Sequence, residues 1–306
     1  MRVVIAGGSG FLGQALTRQL VAGGHRVTVL TRGESGTPQP GVDTVLWNPD
    51  GTADVWARAI EGADAIVNLS GAGIADRRWT ASRRAVLATS RVRPTRSLIA
   101  AVEGCRERPS VFVQGSGIGY YGASLDDREI DESRPPGNDF LGRLCVEWEA
   151  SARPAAALGC RFVTMRSGLV LAKHGGVLPA MARPFKLFAG GPIGSGRQYV
   201  PWIHLHDWVA IVAWVIGNTA IAGAFNAAAP HPVTNEEFSR ELGRALGRPN
   251  WLRVPPLALR TLLGSKMADV LLLNGQRAVP ARALAEGFRF QFANVDAALS
   301  NALNEG

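Results

Sequence analysis

The chain has 306 residues, 46% of them hydrophobic and 19% charged, a balance that supports a packed core and excludes a disordered chain. No segment reaches the roughly 18 unbroken apolar residues of a membrane span, and Arg2–Ala6 is too short and too soon broken by glycine for a signal-peptide core. The net charge is +8, from 33 basic and 25 acidic residues, and all but Lys173, Lys186 and Lys266 of the basic set are arginine.

In chain order, Arg2–Ala6 reads as a buried strand, followed by a glycine turn and a helix from about Phe11 to Ala22 that Gly23 and Gly24 stop. His25–Thr31 is the next strand. Further strands fall at Asp43–Trp47, Ala63–Leu69, Ser110–Gln114 and Cys160–Arg166, with helices near Ala53–Ile60, Thr80–Val102 and Leu141–Leu158 between them. Strands with continuous Val/Ile/Leu runs, alternating with helices, predict an α/β fold: a doubly wound parallel sheet covered on both faces. After Arg166 the rhythm breaks. Gly175-Gly176, Gly190-Gly191-Pro192 and Gly194-Ser195-Gly196 mark loops around an apolar helix, roughly Leu178–Leu187. A helix at Asp207–Ile216 and a short strand at Gly223–Ala227 follow, and from Thr234 the chain is mostly helical. The expected organisation is a nucleotide-binding domain over residues 1–230, with 170–205 reaching to the substrate side, and a smaller, mostly helical domain over 231–306.

The strongest motif is Gly7-Gly8-Ser9-Gly10-Phe11-Leu12-Gly13, which follows the first strand immediately and opens the first helix. Gly7 permits the tight turn, Gly10 lets backbone approach a pyrophosphate, and Gly13 lets helix and strand pack closely. The helix N-terminus then offers free N–H groups and a positive dipole end to the phosphates. The spacing is G-x-x-G-x-x-G, and the strand–turn–helix setting is what gives it weight. At the end of the second strand, where NAD enzymes place an acid for the ribose hydroxyls, stand Thr31-Arg32-Gly33. Arg32 suits an adenosine 2′-phosphate, so the expected cofactor is NADP(H); Glu34, two residues late, is a dissenting acid.

These motifs resemble the extended short-chain dehydrogenase/reductase superfamily, in its NAD-dependent epimerase/dehydratase group. More narrowly, the chain resembles an atypical "epimerase" subgroup described as SulA-like or cell-division-inhibitor-like, with a C-terminal domain of unknown function. The segments that carry the resemblance run nearly end to end: Gly7–Gly13, Asn68-Leu69-Ser70-Gly71, Ser90-Arg91-Val92, Gly119-Tyr120-Tyr121-Gly122, Trp148-Glu149-Ala150, Arg166-Ser167-Gly168, Gly190 to Gln198, and Trp202-Ile203-His204. The resemblance implies a Rossmann domain that holds NADP(H) with Gly7, Gly10, Phe11, Leu12, Gly13, Thr31, Arg32, Leu69, Ser70, Gly71, Arg91, Gly115, Ser167 and Gly168.

The superfamily's usual chemistry uses Tyr-x-x-x-Lys, in which a tyrosinate is the acid/base and the lysine lowers its pKa. That motif is absent: four residues after Tyr120, Tyr121 and Tyr199 stand Ser124, Leu125 and Ile203. Its usual place falls near Leu141 and Cys145. Candidate catalytic residues are therefore Ser116, which matches the superfamily's serine, Tyr120, and His204, whose imidazole titrates near neutral pH. Ser116 reads equally as a hydroxyl capping a turn, and packing is the better reading for Tyr121 and Cys145. Arg197, in a glycine loop suited to gripping a phosphate or carboxylate, Gln198 and Trp202 are the candidate substrate-binding residues; a solvated hairpin and core packing compete for them. His204-Leu205-His206-Asp207 alternates as a strand would, with His204 and His206 on one face, but no third ligand follows, so no metal is expected. Asp207 reads there as an N-cap.

Cys105, Cys145 and Cys160 are odd in number and lack metal spacing, which fits a reduced, cytoplasmic protein. The cluster Arg77, Arg78, Arg83, Arg84, Arg91, Arg93 and Arg96 holds a single aromatic, Trp79, so a nucleic-acid partner is disfavoured. The expected partner is an unidentified small-molecule substrate, with the chain a monomer or homodimer. The chain reads as an NADP(H)-dependent oxidoreductase or epimerase-like enzyme with a nonstandard proton donor. The competing reading is a dinucleotide-binding sensor that does not turn over.

Overall fold

The computed structural model describes residues 1–33, 40–124 and 127–304. Its frame is made by the apolar runs: β1 (Arg2–Ala6), β2 (Arg26–Thr31), β3 (Val42–Leu46), β4 (Ala65–Asn68), β5 (Val111–Gly117), β6 (Arg161–Ser167) and β7 (Gly223–Ala227). All seven lie in one parallel sheet in the order β7-β6-β5-β4-β1-β2-β3. The strand order reverses at β1, so a crevice opens there at the carboxyl edge, between the β1 and β4 ends.

Helices α1 (Phe11–Ala22), α2 (Ala81–Gly104), α3 (Phe140–Ala152), α4 (Leu178–Lys186) and α5 (Leu205–Gly217) follow the expected rhythm. On one face of the sheet, Leu16 and Leu20 of α1 and Trp208, Ile211 and Val215 of α5 pack on Val3, Ile5, Val67 and Val113. On the other, Leu98 and Val102 of α2 pack with Trp56 and Ile60 on Val4, Ile66 and Phe112. Polar side chains at the helix entrances set their starts: Thr80 Oγ1 accepts from Arg83 N–H at 3.1 Å and Asp139 Oδ1 from Gly142 N–H at 2.8 Å.

Two expected helices are shorter than the pattern suggests. Between Gly51 and Gly62 only the 3-10 turn Val55–Ala59 forms, started by Asp54. The Leu141–Leu158 stretch ends its first helix at Ala152 and continues as the short turn Pro154–Ala157, because Pro154 has no N–H to donate and its ring crowds the preceding turn.

Beyond β7 the chain is mainly helical, with α6 (Asn235–Leu246), α7 (Pro256–Leu263) and α8 (Val295–Asn304). Its core is shared: Phe238, Leu242, Val295 and Leu299 bury themselves against Leu171, Leu178, Phe185 and Trp202. The chain also returns to the sheet, where Ala283 and Phe288 join the core under α5. One buried carboxylate fastens this return. Asp207, 1% exposed, accepts from the Gln291 N–H at 2.8 Å and the Phe292 N–H at 2.9 Å. Asp207 is thus not the helix cap. That role falls to His204, whose Nδ1 accepts from His206 N–H at 3.2 Å. His204 ends a short strand and His206 lies in α5, so the two imidazoles do not share a strand face.

Asp207→Ala strands two N–H groups in a partly buried seam. It is expected to cost about 2–4 kcal/mol in urea unfolding and to speed proteolysis within residues 286–294; an unchanged midpoint and cleavage pattern would refute the clasp.

Candidate dinucleotide cleft and the cluster behind β5

The 7–13 loop is shaped by three glycines with different duties. Gly7 has φ +81°, and a Cβ there would lie 2.8 Å from the Leu69 carbonyl carbon and oxygen. A Cβ on Gly13 would lie 2.3 Å from Gly7 O and 2.5 Å from Gly8 Cα. Both glycines are demanded by the protein's own packing. Gly10 is different. It is exposed, its φ is −78°, and a Cβ there would meet only Gly7 O, at 3.3 Å. Among the described residues nothing else lies within 4 Å of that point, and α1 begins there without a side-chain cap. Its first-turn N–H groups thus face a volume suited to a phosphate. Phe11 is turned away from it, against Gly175 and Gly176.

The β4 end borders this cradle. Asn68, fully buried, donates to Thr95 Oγ1 and Gln114 Oε1 and accepts from Ser70 N–H at 3.1 Å, which holds Leu69-Ser70-Gly71 in place. Ser70 is 7% exposed, yet its hydroxyl has no partner among the described residues. On the β2 side, Thr31 is half-buried and Arg32 exposed; Glu34 lies outside the described residues.

Behind the β5 end lies a buried polar cluster. Glu149 of α3 and Arg166 of β6 form a two-pronged ion pair, Nε to Oε1 and Nη2 to Oε2, both 3.0 Å. Ser116 Oγ donates to Glu149 Oε1 at 2.7 Å. Arg166 Nη1 donates to the Tyr121 hydroxyl at 3.0 Å, which donates in turn to Asn226 Oδ1 at 2.7 Å. The guanidinium also lies 3.4 Å from the centre of the Tyr120 ring. Burial alone would lower the Arg166 pKa, but the Glu149 hydrogen bonds and charge outweigh it and the net shift is upward. Burial, partly offset by Arg166, pushes Tyr121 up to about 12. Tyr121 is therefore a neutral strut, whereas Tyr120 is half-exposed, with its ring held from below.

The helix positions expected for the relay do face this strand end. Leu141 packs on Gly119, and the Cys145 thiol lies 3.8 Å from Gly117 O. Burial pushes Cys145 up to about 11, so it is a protonated packing group.

Other candidates are placed elsewhere. His204 is 1% exposed and stacked on Phe292 at 4.0 Å, and burial first and His206 second lower its pKa to about 4. An imidazole that is enclosed and neutral near pH 7 is poorly suited to act as a general acid on a substrate. Trp202 is 1% exposed inside the second core. Gln198 braces its loop, donating to Ile193 O and Leu272 O, so neither side chain lines a pocket. Arg197 is exposed on that loop, whose hydrogen bonds run to the C-terminal region. Ser167 Oγ accepts from Trp208 Nε1 at 2.8 Å, and Gly168 is pressed on Pro201 O. Among the described residues no group of three or more His, Cys, Asp or Glu comes together, and no helix is long and apolar enough to cross a membrane. The arginines of the 77–96 stretch do not form one face: Arg83 pairs with Asp76, Arg84 binds Trp79 O, and Arg91 is buried.

Glu149, Arg166 and Asn226 are members of this buried cluster that the sequence did not single out as site residues. The available signals were a glutamate one turn after Cys145 on an otherwise apolar helix face and an arginine ending a buried parallel strand.

Residues 3–228 match the NAD dependent epimerase/dehydratase family, and residues 254–302 match a domain of unknown function, DUF1731. Over 307 residues the chain is 40% identical to Epimerase family protein SDR39U1 of Bos taurus, covering 99% of this chain and 100% of that one. It is 35% identical to Epimerase family protein YfhF of Bacillus subtilis, covering 99% and 98%. The crystal structure of human epimerase family protein SDR39U1 (isoform 2) with NADPH superposes with a TM-score of 0.89 at 37% identity, covering all of both chains.

Glu149→Gln leaves the Arg166 guanidinium buried without its counter-charge. We expect a loss of about 3–5 kcal/mol of stability in chemical denaturation, and recovery of much of it in Glu149→Leu/Arg166→Met. A single variant as stable as the parent would show that the pair is not what holds the cluster.

Proposed function

The chain belongs to the NAD dependent epimerase/dehydratase family, and from that premise we propose that it binds NADP(H) and catalyses an oxidoreductase or epimerase-like reaction on a small molecule without the Tyr-x-x-x-Lys relay. The observation that carries this reading is that, among the described residues, a Cβ on Gly10 at the start of α1 would meet only Gly7 O, close to the β4 end where the buried Ser70 hydroxyl has no partner. The residues proposed to hold the dinucleotide are Gly7, Gly10, Leu12 and Gly13 at the phosphates, Thr31 and Arg32 at the adenosine end, and Leu69, Ser70, Gly71, Arg91 and Gly115 across the crevice. Phe11, Ser167 and Gly168 support that crevice through the contacts described above. The NADPH in the human relative's crystal structure agrees with the arginine at the end of β2.

NADP(H), when bound, supplies the hydride chemistry. The chain's own groups do the rest. Ser116 Oγ gives its hydrogen to Glu149, so its lone pairs are left to accept from a substrate hydroxyl. Glu149 is tied to Arg166 and serves to aim Ser116, not to take a proton through it. The Arg166 guanidinium holds the Tyr120 ring by its face, which fixes the phenol without using its hydroxyl. Tyr120 is therefore the proposed proton donor to a substrate oxygen, and His204 is not. A second reading, a sensor that binds the dinucleotide without turnover, is favoured by one observation: Leu141 and Cys145, near the usual places of the relay's tyrosine and lysine, are packing groups against Gly119 and Gly117.

Three measurements test the proposal. Titration with NADPH and NADH is expected to favour NADPH, and Arg32→Ala to remove roughly 1.5–3 kcal/mol of that preference; equal affinities in both proteins would refute it. Gly10→Val is expected to abolish dinucleotide binding with little change in thermal midpoint, whereas Gly13→Ala destabilises the apo fold itself. With a substrate drawn from a carbonyl library, single-turnover rates are expected to fall about 100- to 10,000-fold in Tyr120→Phe, with NADPH affinity nearly unchanged, and to fall less in Ser116→Ala. Turnover equal to wild type in both variants would show the chemistry lies elsewhere, and NADPH binding with no oxidation by any carbonyl would favour the sensor.

A further inference from the structure

Six large apolar side chains left in water come from two neighbouring segments: Leu187 and Phe188 just after α4, and Trp251, Leu252, Leu257 and Leu262 at the start of the C-terminal region. The segments run side by side. The Trp251 and Leu252 N–H groups both donate to Gly190 O, at 3.1 and 3.0 Å, and the Val254 N–H donates to Pro192 O at 2.9 Å. Helix α7 begins two residues after Val254 and buries none of its residues. Its half-buried side is Leu259 and Leu263. The opposite arc holds Leu257, Ala258, Thr261 and Leu262, all exposed and none charged. Scattered exposed leucines need no explanation, but a connected set does.

Phe188 is the most unusual member. Among the described residues it is the sole non-glycine with a positive φ, +59°. It closes α4 in a Schellman arrangement, its N–H donating to Phe185 O and the Ala189 N–H to Pro184 O, both at 2.9 Å. That position favours glycine, and a side chain there costs the backbone. The cost is not offset by burial, since Phe188 is 56% exposed. Its ring meets the Arg248 guanidinium, 4.6 Å from its centre. Trp251, 68% exposed, donates its indole N–H to Phe188 O at 3.0 Å. The indole can therefore leave water without stranding its one donor.

The charge around this surface has one sign. Residues 178–192 and 247–268 contain Arg183, Lys186, Arg248, Arg253, Arg260 and Lys266, and no aspartate or glutamate. All six cations are exposed. Arg253 and Arg260 reach Glu236 and Asp269 from outside these segments, at 3.4 and 2.8 Å. The other four have no carboxylate partner among the described residues. Two copies of the chain meeting here would set like charges against each other. An anionic surface with an apolar interior suits both the cations and the aromatic and leucine side chains between them.

We propose that the Phe188–Trp251 knuckle, with α7 beside it, is a peripheral docking surface for an anionic lipid bilayer. Phe188, Trp251 and the exposed leucines enter the boundary between headgroups and acyl chains, and the cations face the acidic headgroups. The surface is distinct from the dinucleotide crevice and does not depend on the NADP(H) reading. It holds the chain on a bilayer without crossing it, in keeping with the absence of a spanning helix among the described residues.

The test is co-sedimentation with vesicles of phosphatidylcholine alone and of phosphatidylcholine with phosphatidylglycerol, together with thermal unfolding. Wild type is expected to bind the phosphatidylglycerol vesicles at least about 10-fold more tightly than the neutral ones, a preference that salt weakens. Phe188→Gly keeps every charge. It should weaken vesicle binding by about 10-fold and unfold at an equal or higher temperature than wild type. Leu187→Ser leaves the helix end unchanged, should weaken binding by a smaller factor, and supplies the answer if Phe188→Gly does not fold. Arg183→Glu/Lys186→Glu should remove most of the preference for phosphatidylglycerol. Equal binding by wild type, Phe188→Gly and Leu187→Ser overturns the proposal, because net charge alone would then hold the chain on the vesicle. Self-association of the wild type that Phe188→Gly abolishes in sedimentation velocity overturns it in favour of a second copy. No vesicle binding by the wild type overturns it and leaves the surface to a protein partner.

Discussion

Glu149 and Arg166 meet where neither charge can be hydrated, and the far half of the molecule is organised around satisfying them. A buried pair is stable only if the remaining donors and lone pairs are also used. Here they are: the carboxylate takes both prongs of the guanidinium and the Ser116 hydroxyl, and the guanidinium's other nitrogen takes the Tyr121 hydroxyl. The chain of bonds continues through Asn226, whose amide donates to Ile130 O and Val279 O. One ion pair thereby fixes α3 to β6, sets the register of the turn after β5, and reaches the C-terminal segment where it pairs with residues 129–130. Removal of either charge would loosen four elements at once.

The phosphate loop obeys a separate constraint, which is purely steric. Gly7 and Gly13 are pinned by backbone within 3 Å of where a Cβ would sit, and Gly10 is not. Two of the loop's glycines are thus required by the fold itself, and the third is not. The same division runs along the rest of the edge. Asn68 spends its side-chain hydrogen bonds on the protein, while the side chain of Ser70, two residues on, has no partner among the described residues.

The sheet was legible because continuous apolar strands and glycine stops are local signals: β1, α1 and β7 fall where the pattern put them, and the others within a few residues. The departures have local causes as well, such as Pro154 splitting a helix. The glycine turn between β1 and α1 was legible for the same reason. The cluster behind β5 was not, because its members come from α3, β5 and the turn after it, β6 and β7, with bonded partners up to 105 residues apart, and no spacing rule links a glutamate on a helix to an arginine on a distant strand. His204 misled because an imidazole's usual pKa says nothing of its burial, and burial reverses the inference. Trp202 and Gln198 misled in the same way: a conspicuous side chain beside glycines is as easily a brace as a contact.

The two buried arginines put this in one comparison. Arg166 and Arg91 have nearly equal exposure, 5% and 7%, and both are stacked on aromatic rings behind the carboxyl edge. Their pKa values nevertheless move in opposite directions, upward for Arg166 and down to about 10 for Arg91. Burial acts on both in the same sense, so the difference is the partner: Glu149 for one, a single helix carbonyl for the other. A fold gains nothing by enclosing a cation it does not neutralise. A binding site does gain, since a cation already stripped of water and held in plane loses little more on meeting an anion. Arg166 is thus satisfied within the protein, whereas Arg91 keeps donors that its one carbonyl contact among the described residues does not use.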